Sequence, residues 1–309
     1  MKMIEEIAEG VKWAGASCIE NAYATIMDYY GDDSAFLLGE TLEIHIDPRR
    51  QNEIAMIEIP IPEIMTNVFG YQCHSMPVFS FEKVKGYLEE GVPVLAEVDT
   101  YGIPYLRQYG KYHYSHVCLL RGYDEKYLYC TDPNVTVNQE KRIETKALAD
   151  CYVQGYAFRK DRKDGIDYHT VSRDIVHKIT QETYMQEYDL LIGKLKSIAA
   201  IRHGIAGYAP EDMGISPLFL QVRHIAGKHW GFIHYMEYCR QKYGDNRLGG
   251  LESDLNEIVD GWENYRLKLI HLLLTEKLFD EKLNTLYSYL DSLYDMEERW
   301  RDKVKAAWA

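Results

Sequence analysis

Three residues of the sequence have side chains that together could carry out acyl transfer: Cys18, His116 and Asp132. In such a set a thiolate attacks a carbonyl carbon, and a histidine takes the thiol proton and later delivers it to the leaving group. A carboxylate holds the histidine in the required tautomer. Taken singly, each residue has an ordinary structural interpretation: a buried cysteine, a core histidine and a turn-forming aspartate before a proline. The three residues together indicate acyl transfer more specifically than any one of them does.

The element that must position Cys18 is a helix in the segment SCIENAYATIMDYYG. Ser17 followed three residues later by Glu20 predicts a capping box, with Cys18 as the first helical residue and an end at Tyr30, before Gly31. Apolar residues recur along one stripe, which predicts a buried central helix. The unpaired N–H groups and the positive dipole end of its first turn favour a thiolate and could stabilise an oxyanion. On the helix alone, a small buried cysteine is an equally good interpretation.

A predicted hairpin brings the other two residues together. The runs SHVCLLRGY and KYLYCTDP are rich in strand-forming residues and are joined through a short polar turn. If the turn centres on Asp124, Leu120 opposes Leu128 and His116 opposes Asp132. Opposed residues on one face have Cβ atoms about 5 Å apart, within reach of a carboxylate–imidazole hydrogen bond. A slip of one residue would move the pair to opposite faces.

The remaining pattern predicts two domains. Residues 15–160 mix helical and strand signals, including a helix at 83–90 and a strand at 92–99, whereas the chain after residue 165 is helix-periodic without strand signals. The charged stretch RKDRKDG reads as the connection. We expect an α+β domain at 1–162, with an antiparallel sheet and a central helix, followed by an all-α helical bundle at 163–309. The segments LKLIHLLLTEKLF and LNTLYSYLDSLY predict two long packed helices within the bundle.

Composition excludes several classes of protein. The net charge of −13 argues against nucleic-acid binding, which needs clustered Lys and Arg. The six cysteines show no zinc-ligand spacing, so we expect neither a metal site nor a disulfide scaffold. The start MKMIEEIAEG lacks the basic and apolar regions of a signal peptide, and no run has the length of a membrane span. The expectation is a cytoplasmic protein without a membrane partner.

Other candidate side chains are weaker. His113 falls on the opposite face from His116 if the strand extends that far, and is expected in a loop. Cys118 and Cys130 lie in the middle of their strands, where apolar side chains are expected. The histidines of the helical half have no ligand spacing with carboxylates and are expected to be structural or at the surface; they are His203, His224, His229 and His234.

In order and spacing these residues resemble the butirosin biosynthesis acyltransferase family, which has a papain-like fold related to the bacteriocin-processing C39-like cysteine peptidases. The resemblance covers about half of the chain. It runs through SCIENAYATIMDYYG, LLGETLEIHI, VPVLAEVDTYGIPY and SHVCLLRGYDEKYLYCTDP. It implies a papain-like first domain, and the helical remainder is similar to the C-terminal region that accompanies this domain.

The resemblance also implies roles for individual residues. Cys18 matches the nucleophile of the family, His116 its histidine, and Asp132 the aspartate of its D-P pair. The substrate-binding positions expected from the D-x-Y-x-x-P-Y element and from the flanks of the cysteine are Asp99, Tyr101, Tyr105, Ser17 and Asn21. Ser17 stands where the family commonly has histidine, and no glutamine lies shortly upstream as in papain. Oxyanion stabilisation is therefore left to backbone amides or to an unidentified side chain.

The function implied by the resemblance is amide synthesis in natural-product, nonribosomal-type biosynthesis, as in the cysteine-protease-like amide synthase of closthioamide assembly. An acyl or peptidyl carrier protein would donate the acyl group and a small-molecule amine would accept it, in a monomer or a homodimer. No cofactor is expected, since phosphopantetheine arrives on the carrier protein. Two alternatives stay open: a cysteine peptidase or thioesterase with the same triad, and a catalytically silent binding module. Candidate docking sites for an acidic carrier protein are Arg49 with Arg50, and Arg159–Lys163.

Overall fold

The computed structural model describes residues 2–50, 53–54, 56, 60–135, 141–160, 167–275 and 280–308. The chain divides into two compact units, and the first comprises Met1–Leu37 and Pro60–Asp167. The second comprises Leu38–Ile59 and Tyr168–Ala309. The expected boundary between residues 162 and 163 lies outside the described residues. The division into compact units differs from the predicted domains in placing Leu38–Ile59 with the second unit.

The first unit is built on one antiparallel sheet with the strand order β2-β7-β3-β4-β5-β6, and β1 pairs with β4. Its strands are β1 (Lys2–Met3), β2 (Tyr71–Met76), β3 (Val94–Asp99), β4 (Ser115–Tyr123), β5 (Tyr127–Thr131), β6 (Arg142–Glu144) and β7 (Tyr152–Lys160). Its helices are α1 (Cys18–Tyr29), α3 (Ile61–Asn67), α4 (Phe81–Glu89) and α5 (Thr145–Cys151), and α2 (Ala35–Glu40) contains the point of division. Short 3₁₀ turns lie at Glu5–Ile7 and Thr100–Gly102. The predicted α+β fold with an antiparallel sheet and a buried central helix is confirmed.

The β4–β5 hairpin exists, but its predicted register was wrong. Leu120 pairs with Cys130 rather than with Leu128. The turn is closed by a hydrogen bond from the Asp124 N–H to the Tyr127 carbonyl, 3.0 Å, so it centres beyond Asp124. Next to the turn Tyr123 therefore pairs with Leu128, three residues from the predicted register, and a bulge between Leu120 and Gly122 takes one residue back. The net shift is two residues, which keeps every side chain of this part of the hairpin on its predicted face.

The second unit is an all-α bundle, as the sequence predicted. Its helices are α6 (Tyr168–Thr180), α7 (Glu182–Leu195), α8 (Ile198–Ile205), α9 (Pro217–Tyr243), α10 (Glu252–Leu274) and α11 (Asp280–Trp308), with a 3₁₀ turn at Pro210–Ile215. The two predicted long helices correspond to α10 and α11. Large rings such as those of Phe232, Trp262 and Trp300 fill the core and are fully buried.

Buried lysines explain why Leu38–Ile59 belongs to the helical unit. The Lys194 ammonium of α7 donates to the carbonyls of Arg50, 2.6 Å, and Glu53, 2.9 Å. The buried Lys228 ammonium of α9 donates to the carbonyl of Thr41. A buried ammonium needs such acceptors because desolvation of an unpaired charge is costly. The segment therefore supplies the backbone acceptors that these two helices require.

Candidate active site

Helix α1 begins at Cys18, as the capping box predicted. The Glu20 N–H donates to the Ser17 hydroxyl, 3.2 Å, and the Ser17 N–H donates to the Glu20 carboxylate, 2.8 Å. The helix ends at Tyr29, and Gly31 follows with φ of 77°. Residues 20–27 are all buried, so the helix is embedded in the unit rather than laid on its surface. The reciprocal cap fixes where the first turn begins and occupies the Glu20 N–H, which leaves the N–H groups of Cys18 and Ile19 without intrahelical partners.

His116 and Asp132 form a short hydrogen-bonded pair. His116 is the second residue of β4, Asp132 directly follows β5, and Nε2 of the imidazole lies 2.6 Å from Oδ2 of the carboxylate. The side chain of Asp132 is 1% exposed and that of His116 is 11% exposed. The carboxylate is thus enclosed, whereas the imidazole keeps a small accessible edge.

The thiol of Cys18 is the third member of this constellation. It lies within hydrogen-bonding reach of the His116 ring, and because Nε2 faces Asp132, Nδ1 is the nitrogen left for the thiol. Burial lowers the pKa of His116, but the charges of Cys18 and Asp132 and their hydrogen bonds raise it well above the ordinary histidine value. The structure therefore brings together the three residues singled out in the sequence, and it favours an imidazolium beside the cysteine.

Two residues that sequence reasoning missed hold the backbone at Asp132. The Lys141 ammonium donates to the Asp132 carbonyl. Asn134 donates from Nδ2 to the carbonyl of Ala16, 2.9 Å, in the loop before α1. The D-P-N turn was visible in the sequence, but nothing local indicated that its asparagine would bind a loop 118 residues away. The Lys141 contact holds the backbone of Asp132, and the Asn134 contact connects this turn to the segment that precedes Cys18.

Asn21 has a complete set of hydrogen bonds within the protein. Its side chain is fully buried, its Oδ1 accepts from the Trp13 N–H, 2.8 Å, and its Nδ2 donates to Asn134 Oδ1, 2.9 Å, and to Ala16 O, 3.3 Å. These bonds use the acceptor and both donors of the amide. Asn21 therefore tethers the loop before α1, and its contact with a substrate stays a prediction.

Asp99 and Tyr101 lie in a second histidine–carboxylate arrangement. Asp99 ends β3, and its Oδ2 lies 2.6 Å from Nδ1 of the exposed His113. The Tyr101 ring stacks on the His113 ring with centroids 4.5 Å apart. Burial raises the pKa of Asp99, but the hydrogen bond and charge of His113 outweigh it and lower the pKa below the ordinary value. Substrate binding by Asp99 and Tyr101 stays a prediction.

The other two expected substrate-binding residues have structural contacts of their own. Ser17 is half-buried and its hydroxyl oxygen is used by the helix cap. Tyr105 is buried and lines a cavity of about 400 Å³, together with Pro104, Tyr109, Tyr127, Arg142, Glu144 and Ala147. Contact of either residue with a substrate stays a prediction.

The expected carrier-protein docking residues are paired with carboxylates. Arg49 binds Asp47 at 2.9 Å and Arg50 binds Glu53 at 2.9 Å. Arg159 pairs with Glu90 and Lys160 with Asp32, while residues 161–163 lie outside the described residues. These cations are locally neutralised, which weakens the case for them as docking sites.

The described part of the chain has neither a candidate metal site nor a candidate membrane span. It contains no group of three or more His, Cys, Asp or Glu side chains arranged to hold a metal ion. None of its helices is both long enough and apolar enough to cross a membrane.

Comparison with known proteins bears on the first unit. Residues 18–158 match the model of the Peptidase_C39 like family, a match that covers less than half of the chain. A crystal structure of a candidate C39-like peptidase from Bacillus anthracis is 16% identical and has a TM-score of 0.40, covering 53% of this chain and 100% of its own. No curated protein matches the sequence. The matched residues include Cys18, His116 and Asp132, and the first unit has the C39-like, papain-like fold, followed by a helical unit.

Proposed function

We propose that this chain is a cysteine-dependent acyltransferase that forms an amide bond. It would move an acyl group from a carrier-protein thioester through an acyl-Cys18 intermediate to an amine acceptor, in natural-product biosynthesis of the nonribosomal type. The observation that supports this best is the contiguous Cys18–His116–Asp132 arrangement, in which the imidazole remains 11% exposed. The substrate class comes from the resemblance to the butirosin biosynthesis acyltransferases in the segments around these residues.

In the first step the Cys18 thiolate attacks the thioester carbonyl of the donor. In this proposal the unpaired N–H groups at the start of α1 stabilise the resulting oxyanion. When the tetrahedral intermediate collapses, the carrier thiol leaves with a proton from the His116 imidazolium, and the acyl group stays on Cys18 as a thioester. Asp132 keeps the imidazole in the orientation that this proton transfer needs.

In the second step the amine attacks acyl-Cys18 and gives a proton to the now neutral His116. Collapse releases the amide and restores the thiolate beside the imidazolium. Exchange of one thioester for another is nearly balanced in energy, whereas conversion of a thioester to an amide is strongly favourable. The second step therefore drives the transfer, provided that water does not reach the acyl-enzyme before the amine.

The match to the Peptidase_C39 like family supports a second candidate, a cysteine peptidase or thioesterase. The residues of the triad would be the same, and the two activities differ in what attacks the acyl-enzyme. Water as the second nucleophile would give hydrolysis.

The discriminating experiment is intact-protein mass spectrometry with a panel of acyl thioesters on pantetheine and on carrier proteins. We expect an acyl adduct on Cys18 that is absent in Cys18→Ala and is discharged faster by added amines than by buffer. Discharge by water alone, or cleavage of a peptide, would establish the hydrolase instead. A chain that forms no adduct with any donor and cleaves no peptide would be a binding module.

A further inference from the structure

A cavity in the first unit is lined by residues outside the triad. Its volume is about 400 Å³, within the range of roughly 300–1,000 Å³ that is usual for small-molecule sites. The rings of Tyr105, Tyr109 and Tyr127 line it, together with the charged side chains of Arg142 and Glu144. The wall therefore combines flat rings with two groups of opposite charge.

The two charged groups of the cavity differ in whether they are paired. The Glu144 carboxylate is paired with the Lys126 ammonium at 2.9 Å. The Arg142 guanidinium has no ion pair or side-chain hydrogen bond among the described residues, and its contact there is with the ring of Tyr127. In a chain with a net charge of −13, the cavity thus presents an uncompensated cation, which favours an anionic ligand.

The nearby carboxylate of Asp124 is not the partner of Arg142. Its oxygens accept hydrogen bonds from the Tyr129 hydroxyl at 2.6 Å and from the N–H groups of Lys126 and Tyr127 at 2.8 and 2.7 Å. These bonds, with a smaller contribution from the charge of Arg142, lower the pKa of Asp124 to about 2. The turn already satisfies this carboxylate, and Arg142 keeps its N–H groups for another acceptor.

Two other arginines that lie over aromatic rings show what Arg142 lacks. Arg159 and Arg247 are each paired with a carboxylate, that of Glu90 and that of Asp245 respectively. The Arg142 guanidinium lies 4.4 Å from the centroid of its ring. Stacking uses the face of a guanidinium and leaves its edge, whose N–H groups match the two oxygens of a carboxylate. The edge of Arg142 is therefore available for the carboxylate of a ligand.

We propose that this cavity binds a small organic carboxylate with a flat apolar body. The carboxylate forms a bidentate pair with Arg142, and the body packs against the rings of Tyr105 and Tyr109. Binding is non-covalent and uses no residue of the triad, so it does not depend on the proposed acyl transfer. The aromatic wall distinguishes this ligand from inorganic phosphate, which would use the cation alone.

The test is a titration of the wild-type protein with benzoate, followed by ligand-observed NMR. Benzamide is the neutral probe of nearly the same shape, and inorganic phosphate is the anion without an apolar body. We expect saturable binding of benzoate that is at least about tenfold tighter than binding of either other probe, because benzamide lacks the charge and phosphate lacks the ring.

Arg142→Gln removes both the charge and the fork of N–H groups. Arg142 is exposed, so the fold should be retained. We expect benzoate binding to weaken at least about tenfold, and benzamide binding to stay within about twofold of the wild type. Arg159→Gln is the matched control, because Arg159 is also stacked on a ring in the first unit but does not line the cavity. It should leave benzoate binding unchanged.

Three outcomes would overturn this inference. Benzoate could bind no more tightly than benzamide or phosphate, or its binding could be unchanged in Arg142→Gln. An equal loss in Arg159→Gln would do the same, since the effect would then not belong to the cavity. None of these outcomes affects the proposed acyl transfer, because that function is tested by the adduct on Cys18.

Discussion

Each unit of the molecule contains a histidine hydrogen-bonded to a buried carboxylate. In the first unit His116 Nε2 lies 2.6 Å from Asp132 Oδ2, and in the second His229 Nε2 lies 3.0 Å from Glu297 Oε2. Burial lowers the pKa of both histidines, but neighbouring negative charges outweigh it and raise the pKa above the ordinary value. In geometry and electrostatics the two pairs are close to equivalent.

Their surroundings differ. His229 and Glu297 are 0% exposed, the other nitrogen of His229 bonds the Ile225 carbonyl at 2.8 Å, and the other oxygen of Glu297 accepts from Trp262 Nε1 at 3.0 Å. His116 is partly accessible, and its second nitrogen is left for a thiol. A histidine–carboxylate pair is therefore not by itself a sign of catalysis. Access and a nucleophile on the second nitrogen distinguish the candidate active site from a structural pair.

The largest change in the free energy of unfolding should come from breaking the fully buried His229–Glu297 pair. Glu297→Ala leaves a buried imidazolium without its counter-ion and Trp262 without its acceptor. We expect a loss of about 3–5 kcal/mol in the free energy of unfolding, measured by urea titration. Glu298→Ala, at the exposed neighbouring position, is the control and should change the free energy of unfolding by less than about 0.5 kcal/mol. Equal effects of the two substitutions would show that the pair contributes little.

Breaking the His116–Asp132 pair of the candidate active site should change the reactivity of Cys18 rather than the stability of the fold. In His116→Ala, Cys18 loses its imidazolium partner and becomes an ordinary thiol, which is about 0.3% ionised at pH 6. We expect iodoacetamide labelling of Cys18 at that pH to fall about a hundredfold, with a much smaller change in the free energy of unfolding.

His113→Ala provides the control for this experiment. His113 precedes His116 by three residues, is exposed, and is hydrogen-bonded to a carboxylate of its own. Its removal should leave the labelling rate within about twofold of the wild type. A similar fall in the labelling rate of both variants would mean that His116 does not specifically determine the reactivity of the Cys18 thiol.

The two pairs should also differ in how pH affects stability. The folded chain binds the His229 proton more tightly than the unfolded chain does. The stabilisation that protonated His229 gives the folded state is complete below the ordinary histidine pKa of about 6.5, and it is lost as pH rises through the higher pKa of the folded state. We expect the free energy of unfolding of the wild type, measured by urea titration, to fall as pH rises above 6.5, by about 1.4 kcal/mol for each unit by which the pKa is raised.

Glu297→Gln tests the origin of this pH dependence, because it removes the charge that holds the proton. Its midpoint should change less with pH than that of Glu298→Gln. An equal slope in the two variants would locate the titrating group elsewhere.

Local signals were enough to predict much of the fold. The capping box and apolar stripe placed α1, and strand-forming runs around a polar turn placed the β4–β5 hairpin. The segment Leu38–Ile59 lies in the second unit, where it contacts Lys194 and Lys228, and Lys228 lies 187 residues away from its acceptor Thr41. Periodicity within a short window contains no information about such a contact.

The geometry of the candidate site, like the fold, was predicted only in part. The observed register differs from the predicted one by two residues. Because this number is even, His116 and Asp132 still lie on one face of the hairpin, where they form their hydrogen bond. The side-chain bonds of Asp124 that reshape the turn, and the bulge beyond it, are geometric details that the strand pattern does not encode. The contact between Asn21 and Asn134 joins residues 113 apart, and so the structural role of Asn21 could not be read from the local sequence.

The smallest expected effect concerns the helix starts of the two units. The hydroxyl of Ser17 accepts from the Glu20 N–H at 3.2 Å, and that of Ser197 accepts from the Ala200 N–H at 3.3 Å. Substitution of either serine by alanine removes a cap and should cost about 1 kcal/mol in urea titration. Only Ser17→Ala should also slow Cys18 labelling at pH 6, by about two- to threefold, because only that cap holds the turn that carries the thiol. An unchanged labelling rate in Ser17→Ala would show that the His116–Asp132 pair, and not the helix start, determines the reactivity of Cys18.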